Sequence, residues 1–233
     1  MNEHYQLSQD GIQVAAVGVD PRATFIVRTY KHLFAAIVGF TLIEIFLFKS
    51  ELAVNIARAL LSVNWLLVLG GFVVVSWLAS RIAHTAASLG AQYLALIVFV
   101  AAEAIIFVPL LFIANAVAPG AIKSAATVTL AGFTGLTGVA FWTRKDFSFL
   151  GALLRWAMVL ALVAIVGGVL FGFELGTWFS VAMVGLAGGA ILYDTSNIIH
   201  HFPEDRYVGA ALELFASVAL MFWYVLRLFL ARD

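Results

Sequence analysis

Residues 90–115 read GAQYLALIVFVAAEAIIFVPLLFIAN, an apolar run that carries a single charged side chain, Glu103. A helix rises about 1.5 Å per residue and a bilayer core takes about 20 apolar residues, so this stretch is long enough to cross a membrane. Pro109 inside it removes one backbone N–H and disturbs the helix locally. Working outward, comparable runs fall at about 31–49, 61–81, 121–142, 150–172, 176–199 and 207–230. The reading is all-α, a polytopic membrane protein with seven transmembrane helices in one bundle. The separators collect the turn formers and most charges: Lys49 to Glu51, Arg81 to His84, Ala118-Pro119-Gly120, Thr143 to Asp146, Phe173 to Thr177 and His200 to Arg206. None is long enough for a soluble domain, so 30–233 reads as one transmembrane unit. Residues 1–29 lack the basic start and unbroken apolar core of a signal peptide and read as a soluble tail.

Composition agrees. Of 233 residues, 64% are apolar and 11% charged, against about 45–50% and about 25% in a soluble domain. Thirteen basic and thirteen acidic residues cancel, leaving no polybasic surface for nucleic acid. The absence of cysteine excludes disulfides, thiolate metal sites and thiol catalysis. No G-x-S-x-G or H-E-x-x-H pattern occurs, so the sequence implies neither an enzyme nor a cofactor. His200-His201 beside Glu204 and Asp205 reads as a solvated loop rather than a metal site. Placing the N-terminus inside puts Arg22, Arg28, Lys31, Arg81, Arg144, Lys145, Arg155 and Arg206 on the cytoplasmic face, eight basic residues against five. An odd number of spans then carries Asp233 outside, unless the last helix dips in and returns. The short loops and the absence of a signal fit a bacterial inner membrane, and an organellar membrane fits almost as well. Small residues within spans, such as Gly185 to Ala190, are read as packing surfaces.

A charged side chain at mid-bilayer costs roughly 2.5–3.5 kcal/mol on insertion scales, so intramembrane carboxylates are candidate functional groups. Four stand out: Glu44, Glu103, Asp194 and Glu213. Basic residues lie mainly at span ends, where long stems reach the headgroups. The acid-leaning interior suits protons or a hard cation such as calcium, whose ligands are oxygens. Asp194 has the strongest case, because Thr195, Ser196 and Asn197 follow it in a polar cluster. Arg81, at the end of the second span, is its candidate ion-pair partner.

The stretch from Gly189 to Arg227, GAILYDTSNIIHHFPEDRYVGAALELFASVALMFWYVLR, resembles the signature region of the Bax inhibitor family. The resemblance rests on Tyr193-Asp194-Thr195, the acidic loop Pro203-Glu204-Asp205, Ala211-Leu212-Glu213-Leu214-Phe215 and Leu226-Arg227-Leu228. A weaker likeness lies upstream in Thr143-Arg144-Lys145-Asp146-Phe147-Ser148. The resemblance implies six helices around a central seventh and a pH-sensitive calcium leak governed by two aspartates, one on each of the last two helices. It also implies, for bacterial relatives, restraint of a membrane-bound AAA protease. This chain departs at one position, since Ser217 stands where the family has its second aspartate. Glu213, one turn earlier on the same face, is the candidate replacement, so calcium is expected near Asp194 and Glu213. Two functions follow as expectations. One is a passive, pH-sensitive cation leak through the bundle, with Asp194, Glu213, Ser217, Glu103 and Arg81 along its path. The other is a non-conducting protein that binds and modulates a membrane protease or another membrane partner.

Overall fold

The computed structural model describes residues 21–86 and 88–231. Among these are eight helices: α1 (Pro21–Lys49), α2 (Leu52–Ser62), α3 (Trp65–Thr85), α4 (Leu89–Val117), α5 (Ala121–Thr143), α6 (Leu150–Phe171), α7 (Gly176–His200) and α8 (Tyr207–Leu230). All but α2 are long and apolar enough to cross a membrane, as the sequence leads one to expect. Because α8 is one continuous helix, a last segment that dips in and returns is ruled out.

Three boundaries differ from the sequence reading. The first helix starts at Pro21, inside the stretch read as a tail. Proline suits a first helical position because that N–H has no intrahelical partner in any case. The second span starts at Trp65, not near 61, because Asn64 caps it by accepting from the Leu66 N–H at 2.9 Å. Between them, residues placed between spans form α2, whose Ala53 and Ala57 lie one turn apart and pack on Leu47 and Val108.

α8 sits at the centre and is buried along most of its length. α1, α3, α4, α5 and α7 pack on it, whereas α6 packs on α7 and α3. This departs from the ring of six around a seventh that the family resemblance implies. The space between α6 and α8 is a cavity of about 1110 Å³.

On the outer surface Phe34, Leu94, Leu67 and Leu170 are exposed, and Trp142 and Trp178 stand out near helix ends. Lipid solvates the first group and the interfaces anchor the tryptophans. Side chains thus decide the core by which helix face they occupy. On α7 the buried face runs Met183, Ala187, Ile191, Asp194 and Ile198, a spacing of three and four that turns Asp194 toward α8.

Candidate functional site

Asp194 is 6% exposed. Its partner is Ser217 on α8, whose Oγ donates to Asp194 Oδ2 at 2.6 Å. The position that departs from the family pattern therefore meets the intramembrane aspartate directly. Ser217 also lines the inner end of the large cavity, together with Ala190, Ser76 and Glu103. From there the cavity runs past Trp223 to Trp65, Glu174 and Arg227, on the face where α3 and α7 begin and α8 ends. Glu103 is buried in its wall, and no basic side chain pairs with it among the described residues.

Beyond Ser217 the bundle is closed. The first ten residues of α8, about 15 Å of helix, are packed, with Val208, Ala210, Ala211 and Leu214 fully buried. Gly209 lets α3 approach closely there: a Cβ at this position would lie 3.0 Å from the Ala83 carbonyl oxygen. Next to it, His84 Nδ1 faces the Ser80 carbonyl at 2.7 Å, so that nitrogen carries a hydrogen. Its Nε2 lies 3.1 Å from Glu213 Oε1.

Polar side chains finish this closed face by satisfying helix ends. Arg22 donates to the Ile199 carbonyl at 2.9 Å and to the Phe202 carbonyl. A guanidinium is favourable there, because the last carbonyls of a helix lack intrahelical donors and carry partial negative charge. Arg206 donates to the Ala86 carbonyl and pairs with Asp205 at 3.2 Å. Ser196 accepts from the Phe147 N–H at 2.8 Å, tying α7 to the loop before α6.

In that loop Asp146 pairs with His201 at 2.9 Å. The Ser148 backbone N–H, then the Ser148 side chain and His201, hold the Asp146 carboxyl down to about 2. A depressed carboxyl contributes stability above its unfolded value, about 3.9, and that contribution is lost as pH falls through about 2. Asp146→Asn is therefore expected to melt below the wild type at neutral pH. The gap should close as melting curves are recorded from about pH 4 downward, and a constant gap would contradict this role.

Two expected pairings are not formed. Arg81 is not the partner of Asp194: it is exposed, with its guanidinium 5.2 Å from the Trp77 ring centroid. The inner face of α3 carries Ala79 and Ala83, and two residues along a helix are about 200° apart, so Arg81 points outward. Glu213 does not pair directly with Asp194 either, because His84 holds it, although the two acids are close enough for their charges to interact. Calcium is not caged by them: among the described residues no group of three or more His, Cys, Asp or Glu side chains could hold a metal ion. Of the cluster after Asp194, Ser196 serves the loop and Thr195 is fully buried.

Arg22, His84, Arg206 and Gly209 escape the sequence reading. The three polar residues fall in the tail and the charged separators, where such side chains read as solvated. Pro21 was the one signal that helix begins ahead of Arg22. Nothing in the spacing says that these side chains return to another helix's end.

The chain is 36% identical over 94 residues to the Escherichia coli K12 protein named modulator of FtsH protease YccA, a match covering 39% of this chain and 42% of that one. It is 32% identical over 120 residues to an Arabidopsis thaliana BI1-like protein, covering 48% and 46%. A vaccinia virus Golgi anti-apoptotic protein is 30% identical over 113 residues, covering 46% of each chain. In each case the aligned stretch spans less than half the relative's length. The family model described as inhibitor of apoptosis-promoting Bax1 matches residues 22–233, nearly the whole described bundle, and the chain therefore belongs to the Bax inhibitor family.

Proposed function

We propose that the protein is a passive, pH-sensitive cation leak, with calcium as the cation, and that Asp194 is its gate. The observation that carries this reading is the Ser217–Asp194 hydrogen bond at the blind end of a cavity open to the opposite face. The cavity brings a cation past Glu174 and Glu103 as far as Ser217. Oxygen donors suit a hard cation, and with no cage among the described residues to retain it, the ion passes through.

Ionised Asp194 receives a charge-assisted hydrogen bond, about twice as strong as a neutral one. Protonation exchanges the first for the second, a loss of about 1 kcal/mol, enough to shift a two-state closure roughly fivefold. The latch is strongest when Asp194 is ionised, so the leak rises as pH falls. Helix α7 is then free to part from α8 at the packed end, where the His84–Glu213 pair and Gly209 hold α3. With the basic majority at the closed face, that face lies in the cytoplasm and the cavity opens outside. The membrane is the bacterial inner membrane, in keeping with the YccA relative named an inner membrane protein.

A second reading is that the chain modulates a membrane-bound AAA protease, as the name of the Escherichia coli relative states for that protein. Residues 1–20 lie outside the described residues, and Arg22 secures the end of α7. The separating cut is therefore removal of residues 1–20 and not of 1–29. In dye-loaded liposomes, calcium influx on acidification is expected to survive this deletion unchanged. If influx is absent with both chains, while co-expression alters FtsH-type proteolysis only when residues 1–20 are present, the second reading replaces the first.

A further inference from the structure

A second cavity, of about 420 Å³, lies where α1, α4, α5 and α8 meet, on another flank of α8 from Ser217. Its walls are apolar and aromatic, with Phe40, Phe48, Phe215 and Phe222 among them. Among the described residues Glu44 is the only ionisable side chain in its lining. That carboxyl is 7% exposed, and among the described residues neither of its oxygens has a hydrogen-bond partner. Thr129, 2% exposed in the same wall, also has a hydroxyl without a partner among the described residues.

A buried polar group left unsatisfied costs about 1–3 kcal/mol, and more if charged. Two such groups in the wall of one cavity, of a size that suits small ligands, call for an occupant toward which they turn and that supplies hydrogen bonds. An acyl chain cannot supply them. An anion is disfavoured because the only ionisable group is a carboxyl. An ammonium group offers N–H donors to Glu44 and to the Thr129 oxygen, neutralises the carboxylate, and is favoured beside aromatic faces. We propose that this cavity binds a small lipophilic amine, with its ammonium on Glu44 and Thr129 and its apolar body among the phenylalanines.

The mouth passes Ile45 and Leu130, both nearly half exposed on the lipid-facing surface, so the ligand enters from the bilayer. Glu44 lies five residues before the end of α1, about 7.5 Å along the helix. This depth favours a free amine over a phospholipid amino headgroup held at the interface.

The test uses the full chain in nanodiscs of pure phosphatidylcholine, with n-decylamine as probe and decan-1-ol and decanoic acid as controls, read by thermal unfolding. The amine is expected to raise the melting temperature in a saturable way, and the two controls are not. Glu44→Gln should weaken the apparent affinity about tenfold or more, the worth of one charge-assisted hydrogen bond. Ala126→Leu, which fills the cavity while keeping Glu44, should weaken it as well. Equal shifts in wild type and both variants would mean partition into lipid and overturn the proposal. So would a Glu44-dependent rise produced by phosphatidylethanolamine discs alone and abolishing the response to the amine, which would assign the site to a headgroup.

Discussion

Ser217→Asp is expected to raise calcium influx at alkaline pH well above the wild type and to replace a single pH step by two. The Ser217 oxygen lies 2.6 Å from Asp194 Oδ2, so a carboxylate at 217 would stand against a second carboxylate in a buried site. Two such groups do not ionise independently. The first proton leaves readily, the second only against the charge already present, and the pair titrates in two apparent steps. While one proton is shared, the acids hold each other and the gate stays shut. When both ionise they repel, where in the wild type the serine donates. The check is influx into dye-loaded liposomes from acidic to alkaline pH. A variant with the single step and alkaline flux of the wild type would show that position 217 does not bear on Asp194.

Gly209→Val is expected to open the packed end without touching Asp194 or Ser217. Its Cβ would meet the Ala83 carbonyl oxygen at 3.0 Å, a backbone atom that cannot swing aside, and the two γ-methyls would press on the same contact. Overpacking of this kind costs about 1–3 kcal/mol. That cost falls on the α3–α8 contact, beside the His84–Glu213 pair. Influx should rise at every pH tested, the melting temperature should fall, and the pH step should remain because Asp194 and Ser217 are untouched. Unchanged flux with a lowered melting temperature would confine Gly209 to a packing role and place the barrier elsewhere.

These expectations rest on features of unequal legibility in the sequence. The seven spans were readable because an apolar run such as 90–115 is longer than any soluble core element needs. Which faces are buried was not readable from composition: in α4, Leu94 and Ile97 face lipid while Leu96 and Phe99 face the core, and all four are equally apolar. The central place of the last helix came from family resemblance. Asp194 stood out because a carboxylate in hydrocarbon is costly, and Ser217 because it breaks a pattern. Their direct contact follows from α7 and α8 being neighbours across a short loop.

Arg81 misled because a basic residue near the right span end looks like a counter-ion until helix phase turns it outward. Glu213 misled in the same way, since His84, on a helix distant in sequence, takes it. The closed face is held by side chains that reach the backbone of other helices, Arg22 to Ile199 and Arg206 to Ala86. Such bonds depend on three-dimensional proximity and leave no mark in local spacing.

The most direct test of the gate is calcium influx into liposomes holding the purified full chain, scanned over pH for the wild type and Asp194→Asn. Asparagine keeps the size of the side chain and can still accept from Ser217, but it carries no titrating proton. The account predicts a wild-type leak that rises on acidification and an Asp194→Asn leak that no longer varies with pH. A wild-type flux indistinguishable from empty liposomes, or a pH step that persists in Asp194→Asn, would contradict it.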